Sequence, residues 1–239
     1  MLALFHAIVA AHIATGAVGI AAFWLPIATR KGSPLHKSAG RVFNYAILAT
    51  AASAICMSVL TLADPMATHP HLATHPVLSD PELVRGIFGW MMLYLAVLTV
   101  NLCWYGWLCL SGRRDHRVNI EWRNIALQGA VALLAANCAW QGWRIGQPLM
   151  MGISLVGFAT VATNLWFIFK RRRAPLDWLK EHVKALVGAG ISIYTAFFAF
   201  GAVRLVPELA LNPVLWAVPL VTGLGLILWH WRKIGLMAT

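Results

Sequence analysis

Residues 2–28 read LALFHAIVAAHIATGAVGIAAFWLPIA, an apolar stretch that contains no Asp, Glu, Lys or Arg. At about 1.5 Å of rise per residue, a helix needs roughly 20 apolar residues to cross the hydrocarbon core of a bilayer. The stretch has neither the basic leader nor the small-residue cleavage site of a signal peptide. We therefore expect it to be a retained membrane-spanning helix.

The rest of the chain repeats this pattern. Of its 239 residues, 60% are hydrophobic and only 11% are charged, against roughly 45–50% and about 25% in ordinary soluble domains. Turn residues such as Asp64-Pro65 and Asn212-Pro213 separate the apolar blocks. The sequence predicts an all-α integral membrane bundle of about seven transmembrane helices, forming a single transmembrane domain over residues 1–239, with spans at 2–28, 42–63, 86–111, 125–146, 148–169, 184–206 and 214–231.

The positive charges alternate along the chain. All 19 Lys and Arg residues except Arg85, Arg144 and Arg204 fall in alternate connections or after the last block. Because Lys and Arg accumulate in cytoplasmic loops, this alternation predicts an external N-terminus, a cytoplasmic C-terminus and a multi-pass protein of the cytoplasmic (inner) membrane. The run Lys170 to Arg173 is expected either to contact anionic lipid headgroups or to serve only as the topology signal. The net charge of +11 therefore indicates a bilayer partner and no nucleic acid.

Three histidines are the candidate ligands. An ionisable residue inside a span is costly and indicates a function. His12 is expected roughly 15 Å below the outer surface, near the bilayer midplane. His36 precedes the second block and His182 precedes the sixth, so both are expected in cytoplasmic connections, at the mouths of helices that could be neighbours. Two neutral imidazoles could hold haem b or, with a third ligand, another metal ion. The alternative reading is a capping or interfacial role for His36 and His182, and a structural hydrogen bond for His12.

Other polar residues in the apolar blocks predict two loose clusters. Depth along the helices groups an inner set near His36 and His182, namely Asn44, Gln128 and Asn164. The same depth counting groups a second, mid-to-outer set with His12. This set is expected to form a polar lining and comprises Asn137, Gln141, Tyr194 and Arg204.

The four cysteines fall inside spans and are expected to be small buried residues without disulfides. No HExxH, P-loop or GxSxG motif is present.

Short motifs carry a family resemblance. The motifs His12-Ile-Ala-Thr-Gly16, Leu35-His36-Lys-Ser-Ala-Gly40-Arg41 and Trp178-Leu-Lys-Glu-His182 resemble those of an uncharacterised family of bacterial multi-pass membrane proteins with an LHxxxGR-type signature. This resemblance implies that His12, His36 and His182 act together, and it implies no activity. A weaker similarity is to b561-like membrane cytochromes. The sequence departs from their pattern because His36 and His182 are placed at helix entrances, which argues against two haems.

Three hypotheses follow. The first is a membrane redox protein that binds haem b or another metal through His36 and His182, with His12 as a further candidate, and exchanges electrons with a quinone-like carrier or a redox partner protein. The second is a metal-dependent membrane enzyme in which the three histidines activate water against a lipid-like substrate. The third is a non-catalytic subunit or assembly factor. The sequence leaves the oligomeric state and the presence of enzymatic activity open.

Overall fold

The computed structural model describes residues 2–76, 78–201 and 213–236, and these residues are helical with turns and no strand. They contain seven helices of more than 20 residues: α1 (Leu2–Ala28), α2 (Pro34–Ala63), α3 (Pro81–Ser111), α4 (Trp122–Arg144), α5 (Pro148–Ile168), α6 (Asp177–Gly201) and α7 (Pro213–Leu236). Each predicted span falls on one of them, although residues 202–206 of the sixth lie outside the described residues.

Five of these helices, α1, α2, α3, α5 and α6, are long and apolar enough to cross a membrane. The all-helical class and the apolar membrane-type helices are thus confirmed. Short helical turns at Pro65–Thr68, Pro70–Leu72 and His116–Ile120 lie in the connections.

The predicted break before the fifth span is also confirmed, since Gly146 has a φ of 64°. The Gln147 amide donates to the Gly142 carbonyl over 2.7 Å, which ends α4 with a glycine cap before Pro148 begins α5.

Two predicted helix starts are wrong. α2 begins at Pro34 and not at 42, because Ser33 caps the helix by accepting a hydrogen bond from the His36 amide over 3.2 Å, and proline is favoured at the first helical position. α6 begins at Asp177 and not at 184. Both helices therefore continue past their apolar blocks. They carry His36 within the first turn of α2 and His182 within the second turn of α6, instead of in the preceding connections.

The first of two compact units comprises Met1–Thr15, Leu48–Asn101 and Ile125–Leu165. Its core lies where α3, α4 and α5 meet, and Gly157 allows the close approach: a Cβ there would lie 2.6 Å from the Tyr94 hydroxyl oxygen and 3.1 Å from the Ala135 Cβ. The buried Tyr94 hydroxyl donates to the Ile153 carbonyl over 3.0 Å. This bond ties α3 to α5.

The second unit comprises Gly16–Ile47, Leu102–Asn124 and Trp166–Thr239. Phe23 of α1 is buried at its centre, with ring centroids 5.5 Å from Phe43 of α2 and 5.6 Å from Tyr194 of α6. Gly190 leaves space for the same ring. α2 and α6, the helices that carry His36 and His182, therefore both pack on α1.

Candidate functional site

His36 lies in the first turn of α2, in the second unit, and is half-buried. Its Nδ1 lies 3.1 Å from the carbonyl oxygen of Pro26, near the end of α1. Carbonyls in the last turn of a helix have no intrahelical partner and accept such bonds readily. Because a carbonyl oxygen only accepts, Nδ1 carries the proton and the Nε2 lone pair remains available.

His182 lies in the second turn of α6, also half-buried and in the same unit. Its Nδ1 lies 2.9 Å from the carbonyl oxygen of Gly106 in α3. The proton is therefore again on Nδ1, and Nε2 is again an acceptor. The structure therefore places His36 and His182, the pair selected from the sequence, in the same unit.

His12 lies on α1 within the first unit and uses its ring in the same way. Its Nδ1 is 3.0 Å from the Thr50 carbonyl oxygen and 3.1 Å from the Ser53 hydroxyl oxygen of α2. Each of the three candidate histidines thus donates Nδ1–H to a backbone carbonyl. That arrangement fixes the tautomer and is typical of metal-ligating histidines, although it also occurs in purely structural hydrogen bonds.

The amides of the predicted inner set are buried. Asn164 of α5 donates through Nδ2 to Asn101 Oδ1 and to Gln128 Oε1, both over 3.3 Å, which joins α3, α4 and α5 in the first unit. Within the described residues, Asn101 Nδ2, Asn164 Oδ1 and, in the second unit, Asn44 Oδ1 have no hydrogen-bond partner. The structure therefore brings Gln128 and Asn164 together and adds Asn101 to them.

The predicted mid-to-outer set makes local contacts. Tyr194 donates to the Ile20 carbonyl over 3.0 Å and accepts from Trp24 Nε1 over 2.6 Å, so it joins α6 to α1. Gln141 accepts from Arg144 over 3.2 Å, and within the described part of the chain Asn137 Nδ2 is buried without a partner. Arg204, the remaining member, lies outside the described residues.

A buried polar network beside His182 was missed from the sequence. Tyr105 of α3 donates to Glu181 of α6 over 2.7 Å, and Lys184 pairs with the same carboxylate over 2.5 Å. Tyr105 is fully buried, and the Glu181 and Lys184 side chains are 12% and 15% exposed. The spacing of Glu181 and Lys184 by three residues on a helix was the available signal.

The connection between α2 and α3 contains a second group of histidines. His69 packs against Phe5 and Phe88, with ring centroids 5.2 Å and 4.9 Å away, and lies 6.0 Å from His71. Burial, and after it the neighbouring His71, lower the pKa of His69 to about 4. His69 is thus neutral at pH 7. Its packing places it with the aromatic residues of the first unit.

The remaining predictions concern the four cysteines and a metal site. All four cysteines are free; Cys103, Cys109 and Cys138 are buried as expected, whereas Cys56 is exposed. Over residues 2–76, 78–201 and 213–236 no group of three or more His, Cys, Asp and Glu side chains is placed to hold a metal ion.

Comparison of the chain with protein-family models finds no match. Searches of curated proteins and of solved structures find no significant match either.

Proposed function

We propose that His36 and His182 bind the iron of a b-type haem or another transition metal, and that the protein exchanges electrons with a quinone-like carrier in the membrane. This proposal rests on the observation that the two imidazole rings have the same tautomer and the same kind of hydrogen-bond partner. Each donates Nδ1–H to a backbone carbonyl, at 3.1 Å and 2.9 Å, and keeps Nε2 as the donor atom for a metal. Both rings lie in the same unit, which supports a shared ligand.

The donor set fits a b-type haem. His36 and His182 would supply the two protein nitrogens that such a haem iron needs, because the porphyrin would supply the rest. When bound, such a group would supply one-electron chemistry. The chain's own residues would then set the orientation of the ligands: the Gly106 and Pro26 carbonyls hold the imidazole planes, and the α1 core around Phe23 holds the two helices.

The proposal includes the membrane arrangement. α4 and α7, with 23 and 24 residues, are long enough to cross a bilayer beside the five more apolar helices. If all seven helices cross the inner membrane, an external N-terminus and a cytoplasmic C-terminus place the connections rich in Lys and Arg in the cytoplasm, as the positive-inside rule requires. His36 and His182 would then lie at the cytoplasmic side, where soluble redox partners have access.

An absorption spectrum of the purified protein tests the function. We expect a reduced-minus-oxidised difference spectrum with haem b bands, and loss of those bands in His36→Ala and His182→Ala. His6→Ala is the matched control, because His6 is an exposed histidine of α1 and should leave the spectrum unchanged. Metal analysis on the same samples covers the case of a non-haem metal.

Absence of haem bands together with background metal content would refute the proposal. Equal retention of the cofactor in both alanine variants would refute the ligand assignment alone. In either case melting curves of the variants separate loss of ligand from loss of fold.

A further inference from the structure

An apolar groove lies between α1 and α2 within the first unit. Its volume is about 350 Å³, at the lower end of the roughly 300–1,000 Å³ of small-molecule sites. Its walls are formed by Leu4 and Ile8 of α1 and by Ile55, Cys56, Val59 and Leu60 of α2. Leu4 and Val59 are 58% and 52% exposed, so the groove is open to the surroundings. Its size suits a ring or a short chain and not an entire lipid.

A polar contact between the two helices borders the groove. His12 follows Ile8 by four residues on α1, and Ser53 precedes Cys56 by three residues on α2, so both lie one turn beyond the groove on the faces that line it. Nδ1 of His12 donates to the Thr50 carbonyl over 3.0 Å and lies 3.1 Å from the Ser53 hydroxyl oxygen. This contact joins α1 to α2 at one end of the groove.

The second ring nitrogen of His12 is free to accept a hydrogen bond. Because Nδ1 carries the proton, Nε2 has a lone pair and no hydrogen. Within the described residues Nε2 has no hydrogen-bond partner, and it is not one of the unpaired polar atoms that the protein encloses. The half-buried ring therefore keeps Nε2 accessible at the end of the groove.

The groove carries no acidic or strongly basic residue. Residues 2–28 and 48–63 contain no Asp, Glu, Lys or Arg. A phosphate headgroup would have no cation to pair with there, and a charge removed from water without a partner is costly. The chemistry favours a neutral molecule that combines an apolar body with a hydrogen-bond donor.

We propose that this groove binds the ring of a quinol, with one ring hydroxyl donating to Nε2 of His12. A quinol is neutral, and an isoprenoid tail on its ring would leave through the open side of the groove into lipid. The oxidised quinone offers carbonyl oxygens, which accept and do not donate, so the site selects the reduced form. The choice of a quinol as ligand rests on the proposed function, whereas the groove does not depend on a haem or metal at His36 and His182.

Protection of Cys56 from a thiol reagent tests the proposal. Cys56 lines the groove and is exposed, whereas Cys103, Cys109 and Cys138 are buried, so N-ethylmaleimide should label Cys56 first. Labelling in neutral detergent without oxygen is followed by intact mass, with duroquinol or duroquinone as a tail-free probe. We expect half-maximal protection at an about 2- to 10-fold lower concentration of duroquinol than of duroquinone, the contribution of one hydrogen bond.

Matched variants assign the selectivity to Nε2. In His12→Asn the amide nitrogen takes the place of Nδ1 and keeps the bond to Thr50, but the acceptor at Nε2 is lost, so the two probes should protect equally. His6→Asn makes the same replacement at an exposed histidine of α1 that does not line the groove, and it should keep the selectivity. If His12→Asn does not fold, the comparison of the two probes on the native chain decides the result.

Three outcomes would overturn the proposal: equal protection of the native chain by both probes, no protection by either, or equal protection by phosphatidylcholine, which would make the groove a site for lipid chains. Labelling is read whether or not haem is present. Selective protection by duroquinol without haem bands would support this site and refute the proposed function, and haem bands without protection would overturn this site alone.

Discussion

The ring of His182 and the backbone of Gly106 are joined by a hydrogen bond of 2.9 Å between α6 and α3. The two helices approach closely at this point. A Cβ added at Gly106 would lie 3.0 Å from Leu186 Cδ2 and 3.1 Å from Ala185 Cβ. The glycine therefore permits the contact that orients the imidazole.

Replacing Gly106 by Ala should weaken the cofactor site without removing a ligand. The added methyl group forces α6 away by a few tenths of an ångström and lengthens the bond that holds His182. Loss of such supporting bonds typically lowers metal affinity about 10- to 100-fold. Titration with haem, followed by its absorption, measures the change. Gly129→Ala is the control, because nothing lies within 4 Å of its added Cβ; a similar loss in that variant would contradict the explanation.

His12→Ala should lower stability and leave the cofactor bound. The variant removes the bonds from Nδ1 to Thr50 and Ser53, which join α1 to α2. Hydrogen bonds between membrane helices contribute about 0.6 kcal/mol on average and up to about 1.7 kcal/mol. Thermal unfolding in detergent should show a lower melting temperature, and the visible spectrum should be unchanged. Loss of the spectrum in this variant would make His12 a ligand.

Asn164→Ala should be more destabilising than His12→Ala. Asn164 is fully buried, and its removal leaves Asn101 and Gln128 without their shared donor. A buried polar group that loses its partner costs about 1–3 kcal/mol. Thr163→Ala on the exposed side of α5 changes a hydroxyl that bonds within its own helix over 3.1 Å, and it should have little effect. Chemical unfolding of both variants provides the comparison.

Acidification should loosen the connection between α2 and α3 through His69. The pKa of His69 is about 4 in the folded chain against an ordinary value of 6.5. Between these two values the opened segment binds more protons than the packed one, so stability falls as pH falls from 6.5 to 4 and is constant above 6.5. Hydrogen exchange of residues 65–72, corrected for its intrinsic pH dependence, should report this loss. In His69→Phe, which keeps the packing against Phe5 and Phe88, the pH dependence should disappear.

Hydropathy located the helices but not all of their ends. The sequence places a helix within every predicted block, because the length and apolarity of a block reflect its burial in lipid or protein. It misplaced the starts of α2 and α6, since a helix continues beyond its apolar block as long as its caps and first-turn residues permit. Ser33-Pro34 was a readable start signal for α2 and a better guide than the onset of apolar residues.

The depth of a residue along its helix says less about its contacts than the face of the helix on which the residue lies. Depth counting paired His36 with His182, and the structure places both in one unit. Depth counting does not identify Asn101 as the partner of Asn164, or Tyr105 as the partner of Glu181. Those contacts depend on which face of each helix points toward which neighbour, and nearly uniform apolar helices carry little information about their facing side.

The sequence alone therefore determined the all-helical class, the positions of the long apolar helices and the histidines that deserve testing. These properties follow from local composition, because the free energy of burying an apolar segment is a sum over its own residues. The tertiary structure alone decided that Nδ1 of His182 bonds to Gly106 and that Nδ1 of His36 bonds to Pro26. Such relationships arise from the packing of helices far apart in the chain, where hydrogen bonding and charge depend on distances that no local pattern specifies.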